Sequence, residues 1–195
     1  PVDGPPPVPA PSEPHGKPAP PPRSVTPFAF PRAPGEGWLD RLGRMLLPPR
    51  CLACGEAGAG GLDLCDGCHA DLPRARPACA RCALPLPAPA PRCGRCAGAR
   101  LPWAAARALC WYAPPVDRWL PRLKFHGDLA PGRLLATLAV QAWADRPRPQ
   151  ALLALPLHRS RLRRRGYDQA RELARPLATG LGLPLLEGGL RRRRA

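Results

Sequence analysis

The chain has 195 residues, 32 of them proline and 9 cysteine, with a formal net charge of +16. That length holds one ordinary domain, or a small module and part of a larger one, and the proline load excludes long unbroken helices or sheets. No stretch reaches the roughly 20 apolar residues of a membrane-spanning helix, and no basic segment followed by an apolar run opens the chain, so no membrane insertion is expected and a cytoplasmic location follows by default.

The excess of positive charge invites a polyanionic partner such as nucleic acid or phosphate. Lysine is confined to Lys17 and Lys124, so the arginine, alanine and proline bias equally fits a genome of high GC content. Residues 1–37 are Pro, Ala and Gly without apolar periodicity, which predicts a disordered tail of polyproline II character. Trp38, Leu42, Met45 and Leu46 then fall on one face of a short helix, which Pro48-Pro49 ends.

From Cys51 a C-x-x-C pair recurs four times, its first cysteines at Cys51, Cys65, Cys79 and Cys93, 14 residues apart. Each pair puts two thiolates on one tight turn, and two such turns supply the four sulfurs of a tetrahedral Zn²⁺. The expected ligands are Cys51, Cys54, Cys65, Cys68, Cys79, Cys82, Cys93 and Cys96, with two structural zinc ions on short β-hairpins. Sequential pairing (first pair with second, third with fourth) closes shorter loops than interleaved pairing and is favoured on entropy. Residues 51–96 have no aromatic side chain, too little for a self-sufficient core, so metal must supply part of the folding energy. Disulfides are the alternative, but nothing marks the chain as secreted. With sulfur in every position no site is left open for water, so zinc catalysis is not expected. Cys110 stands apart and reads as a small buried hydrophobe.

Beyond a link at 101–102, residues 106–112 read as a buried strand. Pro114-Pro115 opens a helix with Val116, Leu120 and Leu123 inward, weakened by Pro121. Asp128 caps a second helix with Leu134, Leu135, Leu138 and Ala142 on one side. Residues 151–158 suit a central strand of a parallel sheet. A polar arginine-rich loop follows, then a helix through Leu173, Leu177 and Leu181 interrupted by Pro176, then an edge strand at 183–187. This order predicts an α/β sheet, incomplete here.

The segments "LLPPRCLACG", "WYAPPVDRWLPRLKFHGD" and "LPLHRSRLRRRGYDQARELA", together with the paired cysteines, resemble the ComF family. These are competence-related proteins with a double zinc ribbon ahead of a type I phosphoribosyltransferase-like domain. The resemblance spans roughly 38–195 and divides the chain into a tail (1–37), a double zinc ribbon with its leading helix (38–100), and the N-terminal part of the α/β domain (101–195). It departs from the family's usual Arg-Gly-Phe-Asn-Gln at Tyr167 and Asp168. It implies that Arg159, Arg161, Arg163, Arg164 and Arg165 contact the phosphates of phosphoribosyl pyrophosphate through guanidinium groups, with Gly166 part of the same phosphate-binding segment. His158 reads as a structural hydrogen-bonder.

The family's acidic pair followed by a Thr/Gly-rich substrate loop is not in this sequence. Phosphoribosyl pyrophosphate is therefore expected only for a longer protein of which this chain is a fragment, and the chain as given is expected to be inactive alone. The resemblance also implies a role in uptake of transforming single-stranded DNA, with that DNA and uptake-machinery proteins as partners. The alternative is a non-catalytic module: a zinc ribbon binding nucleic acid through Arg74, Arg76, Arg81, Arg92 and Arg95, or a protein-docking surface.

Overall fold

A computed structural model describes residues 48–193. The predicted tail at 1–37 and leading helix at 38–46 lie outside the described residues.

The cysteine region is a tandem repeat of turns. Cys51 N–H donates to Glu56 O at 2.8 Å and Gly55 N–H to Cys51 O at 2.8 Å; 28 residues on, Cys79 N–H donates to Leu84 O at 2.9 Å and Ala83 N–H to Cys79 O at 2.8 Å. The single antiparallel bridges Arg50↔Ala57 and Ala78↔Pro85 keep the same offset. The repeating unit is thus two C-x-x-C pairs. The predicted hairpins contract to these bridges, because the chain turns back at once to present sulfur. The second pair of each unit opens a helical turn instead: Cys65 caps α1 (Asp66–Ala70) and Cys93 caps α2 (Gly94–Ala97).

Residues 106–112 do not form the predicted strand. One bridge, Arg74↔Cys110, is flanked by Ala75 N–H to Leu109 O at 3.1 Å and Trp111 N–H to Pro73 O at 2.8 Å. Pro73 and Pro77, which have no N–H to donate, border the partner segment and stop the ladder from growing.

Helix α3 (Val116–Phe125) follows as predicted, with Val116 and Leu123 buried, but Trp119 rather than Leu120 completes its buried face. Pro121 deprives the Asp117 carbonyl of its helical donor; the Tyr112 hydroxyl donates to that oxygen at 3.4 Å. The N-cap of α4 (Ala130–Trp143) is Leu129 and not the expected Asp128, which stands one residue earlier and still bonds the first helical N–H. One of the Asp128 carboxylate oxygens accepts from Ala130 N–H at 3.0 Å, and the other from Arg122 Nε and Nη2 at 2.9 and 2.6 Å. Leu134, Leu135 and Leu138 are buried.

Among the described residues the two strands are β1 (Leu152–Leu153) and β2 (Leu185–Leu186), parallel, with Leu152 opposite Leu185 and Leu153 opposite Leu186. Between them lie α5 (Arg159–Arg165) and α6 (Gln169–Leu181). The central strand expected at 151–158 is only two residues long, and Leu153 and Leu155 are 43% and 73% exposed. The architecture is mixed: helices, two four-cysteine clusters and a small parallel sheet. Helix α6 packs most extensively on α4. Gly180 allows this approach, since a Cβ there would lie 2.5 Å from Val140 Cγ2, a stiff β-branched side chain that cannot turn aside.

The core joins ribbon to helices. Cys51, Leu62, Leu64 and Leu72 form one buried cluster with Val116, Trp119, Leu134, Leu135 and Leu138. Trp119 is 1% exposed and its indole N–H donates to Leu52 O at 3.2 Å. The second unit has a separate small cluster of Cys79, Cys93 and Cys96, packed against Cys82, Leu86 and Leu101.

The repeat gives a direct test of turn strain. Gly55 has φ +84° and its equivalent Ala83 has φ +59°, a left-handed conformation that costs an L-residue with a Cβ about 1–2 kcal/mol. Ala83→Gly is expected to raise stability by about 0.5–1 kcal/mol after the entropic cost of glycine is subtracted, and Gly55→Ala to lower it by a similar amount, read by denaturant unfolding of the metal-loaded protein.

Candidate metal centres

The structure groups the eight cysteines by sequential pairing. The sulfurs of Cys51, Cys54, Cys65 and Cys68 all lie within 4.8 Å of one another, and so do those of Cys79, Cys82, Cys93 and Cys96. Tetrahedral Zn²⁺ with Zn–S of about 2.3 Å requires sulfurs about 3.8 Å apart. Cys54 and Cys65 Sγ are 3.7 Å apart, and Cys82 and Cys93 Sγ are 3.8 Å apart. None of the nine cysteines is in a disulfide. The residues present therefore fit a four-sulfur metal.

Backbone geometry prepares these sulfurs for negative charge. Cys93 N–H donates to Cys79 Sγ at 3.2 Å, and Cys68 N–H to Cys65 Sγ at 3.5 Å. Burial raises the Cys51 thiol, but N–H groups of Cys65, Cys54 and Ala53 outweigh it and bring the pKa down to about 6. Cys79 reaches about 6 in the same way, burial being overcome by N–H groups of Cys93, Cys82 and Arg81. The last cysteine of each quartet moves oppositely. Cys68 is driven up by the sulfurs of Cys65, Cys54 and Cys51. Cys96 is pushed up to about 12, by burial first and then by Cys82, Cys93 and Cys79. Four crowded sulfurs cannot all hold charge with nothing between them, and a divalent cation removes that obstacle. When bound, it would supply a cross-link and charge compensation at Cys51, Cys54, Cys65 and Cys68, and again at Cys79, Cys82, Cys93 and Cys96.

Neighbouring side chains brace the clusters. Arg74 Nη2 lies 2.8 Å from His69 Nε2. Arginine has only donors, so that nitrogen accepts and His69 is held neutral; burial first, and then the Arg74 charge, lower its pKa. Arg81 donates to Leu101 O at 3.0 Å and Ala104 O at 3.1 Å, and Trp103 Nε1 returns a bond to Arg81 O at 3.1 Å. Cys110 is half-buried against the first cluster's core.

The arginine stretch is not a loop. Arg159–Arg165 form α5, which His158 caps by accepting from Ser160 N–H and Gly166 closes at φ +80°. Arg159, Arg163 and Arg164 are exposed and Arg161 is half-buried. Arg165 is engaged within the fold, donating to Gln169 Oε1 at 2.9 Å and lying 5.0 Å from the Phe125 ring centroid. The Tyr167 hydroxyl donates to Leu123 O. Asp168 accepts from Ala170 N–H and from Leu157 N–H, both at 2.9 Å. Arg165 to Gln169 thus tie the segment after β1, at Leu157, to α3 and α6. A cavity of about 540 Å³ beside α5 is lined by His158, Arg159, Arg191, Arg192 and Arg193.

The fold and the paired four-sulfur clusters define a class, the double zinc ribbon, and the family model described as "Double zinc ribbon domain" matches residues 42–97. The chain is also 31% identical over 150 residues to Competence protein F of Haemophilus influenzae, covering 73% of this chain and 65% of that protein's length. The ribbon and this identity together support assignment of the chain to the ComF family. No solved structure matches.

Trp119 and Trp143 went unnoticed as site-forming residues in the sequence. Trp119 sits at a helical spacing from Val116 and Leu123 that marks it as inward-facing, whereas nothing local to Trp143 points to the ribbon.

Metal release is expected to be acid-driven, because each ligand sulfur must be deprotonated to bind. Protons compete with the metal for all four sulfurs of a quartet, so retention is expected near neutrality and is expected to fall steeply as the pH is lowered. A chromophoric chelator titrated between about pH 8 and about pH 5 reads this; release independent of pH contradicts sulfur ligation.

Proposed function

We propose that the chain is a ComF-type, phosphoribosyltransferase-like protein that acts in uptake and processing of transforming single-stranded DNA. Its ribbon carries two structural zinc ions. The observation that carries this reading is the length of the match to Competence protein F. A stretch of 150 residues runs far past the ribbon at 42–97 into the helical part, so the likeness is to a whole arrangement and not to a zinc knuckle alone.

Within this reading the exposed guanidinium groups of α5, from Arg159, Arg163 and Arg164, and the half-buried Arg161 bind phosphate oxygens of phosphoribosyl pyrophosphate in a longer protein. Arg165 and Gly166 hold the segment in shape. For the chain by itself, binding without group transfer is the reading adopted, because the acidic pair and Thr/Gly-rich loop are not in its sequence. Among the described residues no helix is long and apolar enough to cross a membrane.

Two measurements test these points. Mass spectrometry under non-denaturing conditions is expected to find two zinc ions per chain; a single ion means that one quartet is not a metal site. Disruption of the gene in its source organism is expected to cut the yield of DNA transformants sharply, with recovery by the wild-type gene but not by one carrying Cys51→Ser and Cys54→Ser. Undiminished transformation overturns the competence role.

A further inference from the structure

The second ribbon and the end of α4 border a basic groove that runs beside the Cys79 turn and lies apart from the α5 arginines. One cavity of about 770 Å³ is lined by Arg76, Arg107, Trp143 and Arg146, with alanine and proline side chains and Cys79 between them. A second, of about 260 Å³, adds Arg74 and shares Arg76, Ala108 and Trp143 with the first. The two cavities therefore adjoin at Arg76, Ala108 and Trp143.

No acidic residue lines either cavity. The guanidinium groups of Arg76, Arg107 and Arg146 are exposed, and among the described residues none makes a hydrogen bond or ion pair. Arg74 is different, being bonded to His69. Trp143 is half-buried at the last turn of α4, where Arg146 N–H donates to its carbonyl at 3.1 Å. Such a site combines what a strand of unpaired nucleotides requires: an aromatic surface for a base and separated cations for successive phosphates. Residues 38–100 supply arginines but few aromatics, and the fold brings the missing ring from α4.

We infer that this groove binds a single-stranded nucleic acid, with a base stacked on Trp143 and phosphates held by Arg76, Arg107 and Arg146. An acidic peptide matches the cations but gives no use to the ring. A lone nucleotide leaves most of the cations unpaired. The inference rests on the nucleic-acid part of the proposed function and adds the place and the mode of contact.

The test uses the zinc-loaded chain and fluorescence anisotropy with a labelled oligothymidylate, beside an abasic strand of equal length and charge. The wild type is expected to prefer the base-bearing strand about tenfold, the scale of one stacked base. Trp143→Ala is expected to abolish that preference and Trp143→Phe to restore most of it. Arg107→Gln with Arg146→Gln is expected to flatten the slope of log affinity against log salt by about 1.4, the value for two phosphate contacts on a single strand. Arg118→Gln with Arg133→Gln, equal in charge but outside the groove, is expected to keep the base preference. Zinc content and circular dichroism identify any variant that fails to fold, and the double arginine variants carry the test if Trp143→Ala is one. Equal binding of both strands by the wild type, or a base preference untouched in Trp143→Ala, overturns the groove while strand binding elsewhere keeps the DNA role. Competition by a mononucleotide or an acidic peptide as potent as the strand overturns the choice of ligand. A wild type that binds no strand overturns both the groove and the nucleic-acid reading.

Discussion

Four sulfurs held within 4.8 Å of one another, twice over, are the constraint on which the rest of the fold depends. Protonated thiols gain little from such crowding, and thiolates repel. The arrangement becomes favourable once a cation sits among them, and structural zinc contributes on the order of 10 kcal/mol to folding in small modules of this kind. The backbone cooperates by aiming N–H groups at Cys51 and Cys79. The first turns of the two quartets repeat the same backbone bonds, down to the left-handed residue at Gly55 and Ala83.

The quartets differ in what they anchor. The first belongs to the same buried cluster as Trp119 and the leucines of α4, so fixing its sulfurs also fixes the seat of the helices. The Trp119 to Leu52 hydrogen bond spans that junction. The second touches little beyond Leu86 and Leu101 and presents one wall of the basic groove to Trp143. One ribbon thus serves as foundation and the other as surface. A comparable local tie operates around Asp168, whose two oxygens hold Leu157, in the segment after β1, and the start of α6.

Much of this was legible in the sequence because metal ligation imposes strict spacing. The C-x-x-C steps named all eight sulfurs, and the loop-closure argument chose the pairing that the structure contains. Helices α3 and α4 followed from apolar periodicity and from Asp128. The 14-residue beat concealed a 28-residue unit, since knuckles of different backbone shape share one cysteine spacing. Strands were over-predicted at 106–112 and 151–158. Apolar runs state only that side chains seek burial, while the ladder's length depends on partners, and proline at 73 and 77 withholds donors on one side. The arginine stretch from Arg159 read as loop because its charges show no apolar face, yet His158 and Gly166 close a short helix from its two ends. Trp143 could not be assigned to a site at all, since apart from Ala142 and Arg146 the residues that line the groove with it lie 34 or more residues away in the chain.

The most direct test of sulfur–metal cross-linking as the basis of the fold is amide hydrogen exchange of the chain before and after exhaustive chelation in reductant. Residues 51–96 are expected to lose their protection on chelation, and α3 to lose protection with them because Trp119 is seated on the first quartet. Unchanged protection across 51–96, with every thiol free and no metal present, would contradict it.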